Sequence, residues 1–99
     1  MSDEKIVVLA KFWAKKAIIE RVKTVLSALV EPTRKEDGCI VYDLHQDTKD
    51  PSAFMFYEIW ASQKALDTHI ARPHLQDLLA RQNELFEKPL DVTIWKKLS

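Results

Sequence analysis

The spacing of apolar residues changes period several times along this chain, and each change predicts an element. Ile6 to Trp13 (Ile-Val-Val-Leu-Ala-Lys-Phe-Trp) is rich in β-branched and aromatic residues and predicts a first strand. From Lys15 the period becomes helical. Ile18, Val22, Val25, Leu26 and Leu29 fall at i, i+4, i+7, i+8 and i+11, and Glu20, Arg21, Lys23, Thr24 and Ser27 take the opposite side. Pro32 lacks a backbone donor and disfavours α geometry at Glu31, so the helix is expected to end or bend there. Thr33 to Asp37 reads as a last ragged turn, and Gly38 stands where a left-handed capping residue is wanted. Cys39 to Gln46 predicts strand two, and Asp47 to Ser52 (Asp-Thr-Lys-Asp-Pro-Ser) is a turn cluster joining it to strand three as an antiparallel hairpin. Strand three spans Phe54 to Trp60. Ser62 is a good N-cap for a helix through Ala65, Leu66 and His69. Pro73 breaks that helix or opens a new one, a stripe of Leu75, Leu78, Leu79, Leu85 and Phe86 follows, and Pro89 ends it. Val92, Ile94 and Trp95 make a final strand, while residues 1–4 are polar and read as a loose end.

The order β-α-β-β-α-β predicts an α+β, ferredoxin-like domain: a four-stranded antiparallel sheet with its helices on one face. Strand three sharpens this picture. Phe-Met-Phe-Tyr-Glu-Ile-Trp is apolar at both parities except for Glu58. A strand with one buried face should alternate apolar and polar residues. Both faces of this one are therefore expected to be covered, one by helices and the other by a second copy of the chain. A bare apolar sheet face of several hundred Å² is normally an interaction site. The expectation is a homodimer whose two sheets pack face to face and close as a dimeric α/β barrel.

Composition narrows the function. At 99 residues the chain is one domain, residues 1–99, able to bury roughly 65% of its unfolded surface. Fifteen basic side chains balance fifteen acidic ones, so no broad positive field exists for nucleic acid. No apolar run approaches the ~20 residues of a membrane span. One cysteine, Cys39, and no recognisable signal peptide favour a reducing, cytoplasmic home. Gly38 is the sole glycine, so no phosphate-cradling loop exists.

The candidate chemistry sits around strand three. Glu58 shares a face with Phe56 and Trp60. It is either a partly buried carboxylate with a raised pKa or one half of an ion pair with a residue such as Lys11. His69 titrates near neutral pH and suits acid–base work; the bland alternative is a structural hydrogen bond. His69 and His74 lie five apart with a proline between them, and neither a carboxylate nor a third histidine sits at ligand spacing, so no metal is expected. His45 reads as exposed. Tyr42 either donates a phenolic hydrogen bond to a ligand or packs with its hydroxyl at the surface. Trp13, Trp60 and Trp95 suit core or interface before a ligand pocket. Cys39 suits a small apolar position, and Ser62 a helix cap.

These spacings name no reaction, but the residues resemble a family. Glu-Asp-Gly-Cys-Ile-Val-Tyr-Asp-Leu at 36–44 is similar to the helix-end and second-strand signature of the antibiotic biosynthesis monooxygenase domain. Phe-Tyr-Glu-Ile-Trp-Ala-Ser at 56–62, Ala-Leu-Asp-Thr-His at 65–69 and Pro-His at 73–74 resemble its later signature in order and spacing. The resemblance implies a ferredoxin-like homodimer that binds small aromatic or quinone-like substrates between sheet and helices. It also implies a cofactor-independent monooxygenase that oxidises a hydroquinone or polycyclic phenol with O2. In that light His69 is the polar group near the substrate, supported by Glu58 and Tyr42. Trp60 and Phe12 become pocket walls, and His74 orders the helix near the mouth. Haem is disfavoured, because the stretches matching the haem degraders' ligands read Leu78-Leu79 and Ala10-Lys11-Phe12. Two alternatives stand beside this reading: a cofactor-free isomerase of a small polar or phosphorylated metabolite, and a non-catalytic dimeric ligand-binding domain. Basic groups converging on the pocket would favour the isomerase; an apolar, aromatic lining favours the quinol.

Overall fold

The computed structural model describes residues 4–99; the expectation for the first three residues lies outside them. Four strands form one sheet: β1 (Ile6–Trp13), β2 (Cys39–Gln46), β3 (Ala53–Trp60) and β4 (Asp91–Trp95), in the order β2-β3-β1-β4. Every neighbouring pair is antiparallel. The helices are α1 (Ile19–Ser27), α2 (Val30–Arg34), α3 (Gln63–Ile70), α4 (Pro73–Ala80) and α5 (Gln82–Leu85). The architecture is the ferredoxin-like one expected from the periodicity.

The register decides which side chains share a face. Val8 pairs with Glu58, Ala10 with Phe56 and Phe12 with Phe54, while Tyr42 lies opposite Glu58 on the other side of β3. Directly paired residues point the same way, so this set faces the helices. It is buried together with Val22, Leu26, Leu66, Leu78 and Leu85 in one core. The other parity of β3 (Ala53, Met55, Tyr57, Ile59) shares the open face with Val7, Leu9 and Trp13 of β1, and all seven are only half-buried.

The first helical stretch departs from expectation in one respect. A 3-10 turn at Lys16–Ile18 precedes α1, and the break falls at Ala28 and Leu29 instead of at Pro32. Leu29 N–H donates to Leu26 O, an i−3 bond that tightens the turn. Pro32 sits three residues into α2, within the first turn, where no backbone donor has an intrahelical partner. Gly38 does adopt the left-handed conformation, at φ +84°. Pro73 opens α4 and does not merely break α3, and Ser62 Oγ caps α3 by accepting from Ala65 N–H at 3.1 Å. In the hairpin, Asp47 Oδ1 accepts from Lys49 N–H and Asp50 N–H, which fixes the turn joining β2 to β3.

Candidate active site

A cavity of about 250 Å³ lies between the sheet and the helices. Phe12 and Phe56 form part of its sheet wall, and Leu66, Leu75 and Leu78 part of its helix wall. Three polar side chains reach it: Tyr42 from β2, Glu58 from β3 and His69 from α3. No lysine or arginine among the described residues lines it. A wider, more open depression of about 480 Å³ is bounded by Lys11, Trp13, His45 and Met55 and holds none of these groups. The chemistry therefore belongs to the smaller cavity.

Glu58 is 4% exposed, and Trp60 Nε1–H donates to its Oε1 at 2.8 Å. Its other oxygen has no partner among the described residues. No fully buried side-chain oxygen or nitrogen among them lacks one, so Oε2 opens on the cavity. Burial pushes the carboxyl up to about 7, against the pull of the Trp60 hydrogen bond. Glu58 can thus hold a proton at neutral pH. It makes no ion pair with Lys11, which pairs with Met55 on the other side of the sheet. Tyr42 is buried, not surface-edged as its bland reading supposed. It stacks on Phe56 at 4.5 Å, and burial drives its phenol far above the usual range, so it serves as a neutral hydroxyl.

His69 is 3% exposed. Its ring lies over Trp60 at 4.5 Å and meets Tyr42 edge-on at 5.5 Å. Its Nδ1 lies 3.0 Å from Glu36 Oε2 and 3.2 Å from Oε1, within hydrogen-bond reach. Nε2 has no partner among the described residues and, by the argument used for Glu58, faces the cavity. Desolvation lowers the His69 pKa, with Glu36 pulling the other way, so the imidazole is neutral at pH 7.

Of the six residues singled out in the sequence, Tyr42, Glu58, His69 and Phe12 line one cavity, while Trp60 and His74 do not. Trp60 is not a wall. It is fully buried behind Glu58 and His69, bonding one and packing at a tilt against the other. His74 does not line the cavity, but it stands at the start of α4, whose Leu75, Leu78 and Leu79 do. From the first turn of α4 its Nε2–H donates to Glu36 Oε2 at 2.8 Å, beside a separate surface depression with Lys35 and Arg72. Glu36 falls in the stretch that the sequence marks only as a ragged turn. Its position two residues before the sole glycine was the available signal. The chain folds it into a buried junction between α2, α3 and α4.

That junction brings a carboxylate to two histidines whose local spacing offered none, contrary to the expectation. Glu36, His69 and His74 each offer one donor atom, all within 4.8 Å of one another, so the carboxylate missing from the local spacing comes from α2's end. The 2.8 and 3.0 Å separations from Glu36 Oε2 are hydrogen-bond distances. Donors around a zinc ion with bonds of ~2.1 Å stand about 3.4 Å apart. Cys39 is a poor ligand or nucleophile, since burial raises its thiol to about 11.

Residues 5–81 match the model of the antibiotic biosynthesis monooxygenase family. The chain belongs to that family. It is 34% identical to Rv0793 of Mycobacterium tuberculosis, named there as a candidate monooxygenase, over 90% of this chain and 87% of that one. The solved structure of Rv0793 superposes with a TM-score of 0.90, covering 96% of both chains. A crystal structure of an antibiotic biosynthesis monooxygenase, 34% identical, superposes at 0.88 over 95% of this chain and 99% of that one. An uncharacterised Synechocystis protein, sll1783, is 30% identical over 96% of this chain, which spans only 65% of its length. No helix among the described residues of this family member is long and apolar enough to cross a membrane.

Proposed function

We propose that this family member is a cofactor-independent monooxygenase that oxidises a small phenol or hydroquinone with O2. One observation carries the reading: an apolar cavity whose only polar side chains, among the described residues, are a neutral imidazole, a protonatable carboxyl and a neutral phenol. An apolar cavity of about 150 Å³ admits a benzene ring. About 250 Å³ therefore suits one or two fused rings better than a larger polycyclic phenol. The lining counts against a phosphorylated metabolite, because no lysine or arginine is there to meet its charge.

The roles follow from the protonation states. His69 Nε2 takes the phenolic proton, and the resulting anion is electron-rich enough to reduce O2 directly. An electron passes to O2, and the two radicals join at a ring carbon that bears hydrogen, giving a peroxide anion that takes the proton back from His69 and becomes a hydroperoxide. Base then removes that hydrogen, the C=O bond forms and the O–O bond breaks. The departing hydroxide takes a proton from Glu58 and leaves as water. One oxygen atom ends in the quinone and one in water, and the substrate supplies every electron. Tyr42 donates a hydrogen bond to the developing oxyanion, and the apolar wall keeps water away. No cofactor is needed for this sequence.

Assembly belongs to the same proposal. A second copy covers the half-exposed apolar sheet face, giving a homodimer, and the lone, poorly acidic thiol suits a cytoplasmic setting.

Oxygen uptake with a panel of one- and two-ring hydroquinones and naphthols tests the reaction. With 18O2, one labelled atom should appear in the quinone. His69→Ala should slow the reaction roughly 10²–10⁴-fold. Uptake no faster than spontaneous oxidation, or unchanged by His69→Ala, would end this reading.

A further inference from the structure

We infer that Glu36 is a positioning residue: held in place by His74, its carboxylate keeps the proton of His69 on Nδ1 and so turns the Nε2 lone pair into the cavity. The inference rests on the proposed role of His69 and supplies what that role lacks. A neutral imidazole has two tautomers, and only one of them leaves Nε2 free to accept a proton.

The selection follows from geometry. A carboxylate only accepts hydrogen bonds, so a nitrogen 3.0 Å from Glu36 Oε2 must carry its proton. The other tautomer would set a lone pair against that oxygen and an N–H against a mostly apolar wall, losing a buried hydrogen bond and exposing an unmet donor. A half-turn of the ring would exchange Nδ1 for a carbon and lose the same bond. The close tilted contact with Trp60 and the edge contact with Tyr42 hold the ring plane.

Glu36 is itself pinned. His74 Nε2–H bonds the same Oε2 at 2.8 Å, and Arg72 Nε lies 3.8 Å from Oε1. Its backbone N–H donates to Thr33 O, and its carbonyl accepts from Cys39 N–H, which ties the end of α2 to the start of β2. Glu36 does not line the cavity, so it reaches the substrate only through His69. His74 thus acts at two removes from the reaction, through Glu36 and His69.

The test reads the tautomer directly. Two-bond 1H–15N correlation spectra of the 15N-histidine protein at neutral pH, without substrate, should show His69 protonated at Nδ1 and bare at Nε2. Glu36→Gln should move His69 towards the other tautomer and lower kcat roughly 100-fold or more, with KM within about twofold. Glu36→Asp, which keeps the acceptor, should retain the wild-type tautomer. An Nε2–H or doubly protonated His69 in the wild type would overturn the inference, and this measurement needs no variant that might fail to fold. An unchanged tautomer in Glu36→Gln would overturn it too. So would tight zinc binding by the wild type that Glu36→Gln abolishes, since the three side chains would then be ligands. The expected tautomers together with no oxygen uptake would uphold Glu36's role while refuting the proposed reaction.

Discussion

Two ionisable side chains face one apolar hollow, and their surroundings push them in opposite senses. Burial holds Glu58 protonated up to about 7 and makes His69 harder to charge. The neutral pair therefore combines a proton donor with a proton acceptor at the same pH. The arrangement costs stability, and the sign can be worked out. In the unfolded chain the Glu58 carboxyl loses its proton near its ordinary 4.5; in the folded one it keeps it to about 7. Between those values the unfolded state binds fewer protons, so stability falls as pH rises. The shift corresponds to roughly 3 kcal/mol. Glu58→Gln removes this titration and leaves that of His69, which has the opposite sign, in place. Urea denaturation at pH 4.5 and pH 8 should show the variant gaining on the wild type by about that amount at the higher pH. An equal difference at both values would mean that Glu58 is not buried as described.

Short elements set the geometry of the site, and Gly38 joins two of them. It ends the helical region that brings Glu36 inward and starts the strand that carries Tyr42. Its positive φ suits glycine alone, and a Cβ there would lie 2.5 Å from Ala65 Cβ on α3. Gly38→Ala should therefore cost about 1–2 kcal/mol in backbone strain, with a further loss as α3 is pushed away, measured by urea denaturation. Because α3 carries His69, oxygen uptake should fall as well. The sequence predicted both the glycine's conformation and the Ser62 cap, since each is a local preference of one residue type. The sequence predicts the break after α1 at Pro32, but it falls earlier, because a proline in the first turn of the next helix is harmless.

Assembly is decided at the scale of the whole sheet. Leu9 sits at the middle of the open face, paired with Tyr57 on one side and Thr93 on the other. A protein of 11.5 kDa that leaves this surface half-bare should run as a dimer of about twice that mass by light scattering. Leu9→Lys should shift it to the monomer, because a charge buried between two apolar sheets has no partner. A wild type that runs as a monomer at micromolar concentration would remove the twin subunit from the account.

Periodicity and residue type alone determined the class of fold, the order of its elements and several of their ends, because a helix or strand is stabilised by contacts a few residues apart. The same chain letters marked Glu58, His69 and Tyr42 as candidates, through their chemistry and a family likeness. Tertiary structure decided how these groups meet. Register turned Glu58 towards the helices and Lys11 away from them. Docking of α3 and α4 on the end of α2 brought His69 and His74 onto Glu36, across 33 and 38 residues of sequence. No local preference encodes such a meeting: it depends on how whole elements pack, and the carboxylate that orients the imidazole becomes visible only once they have.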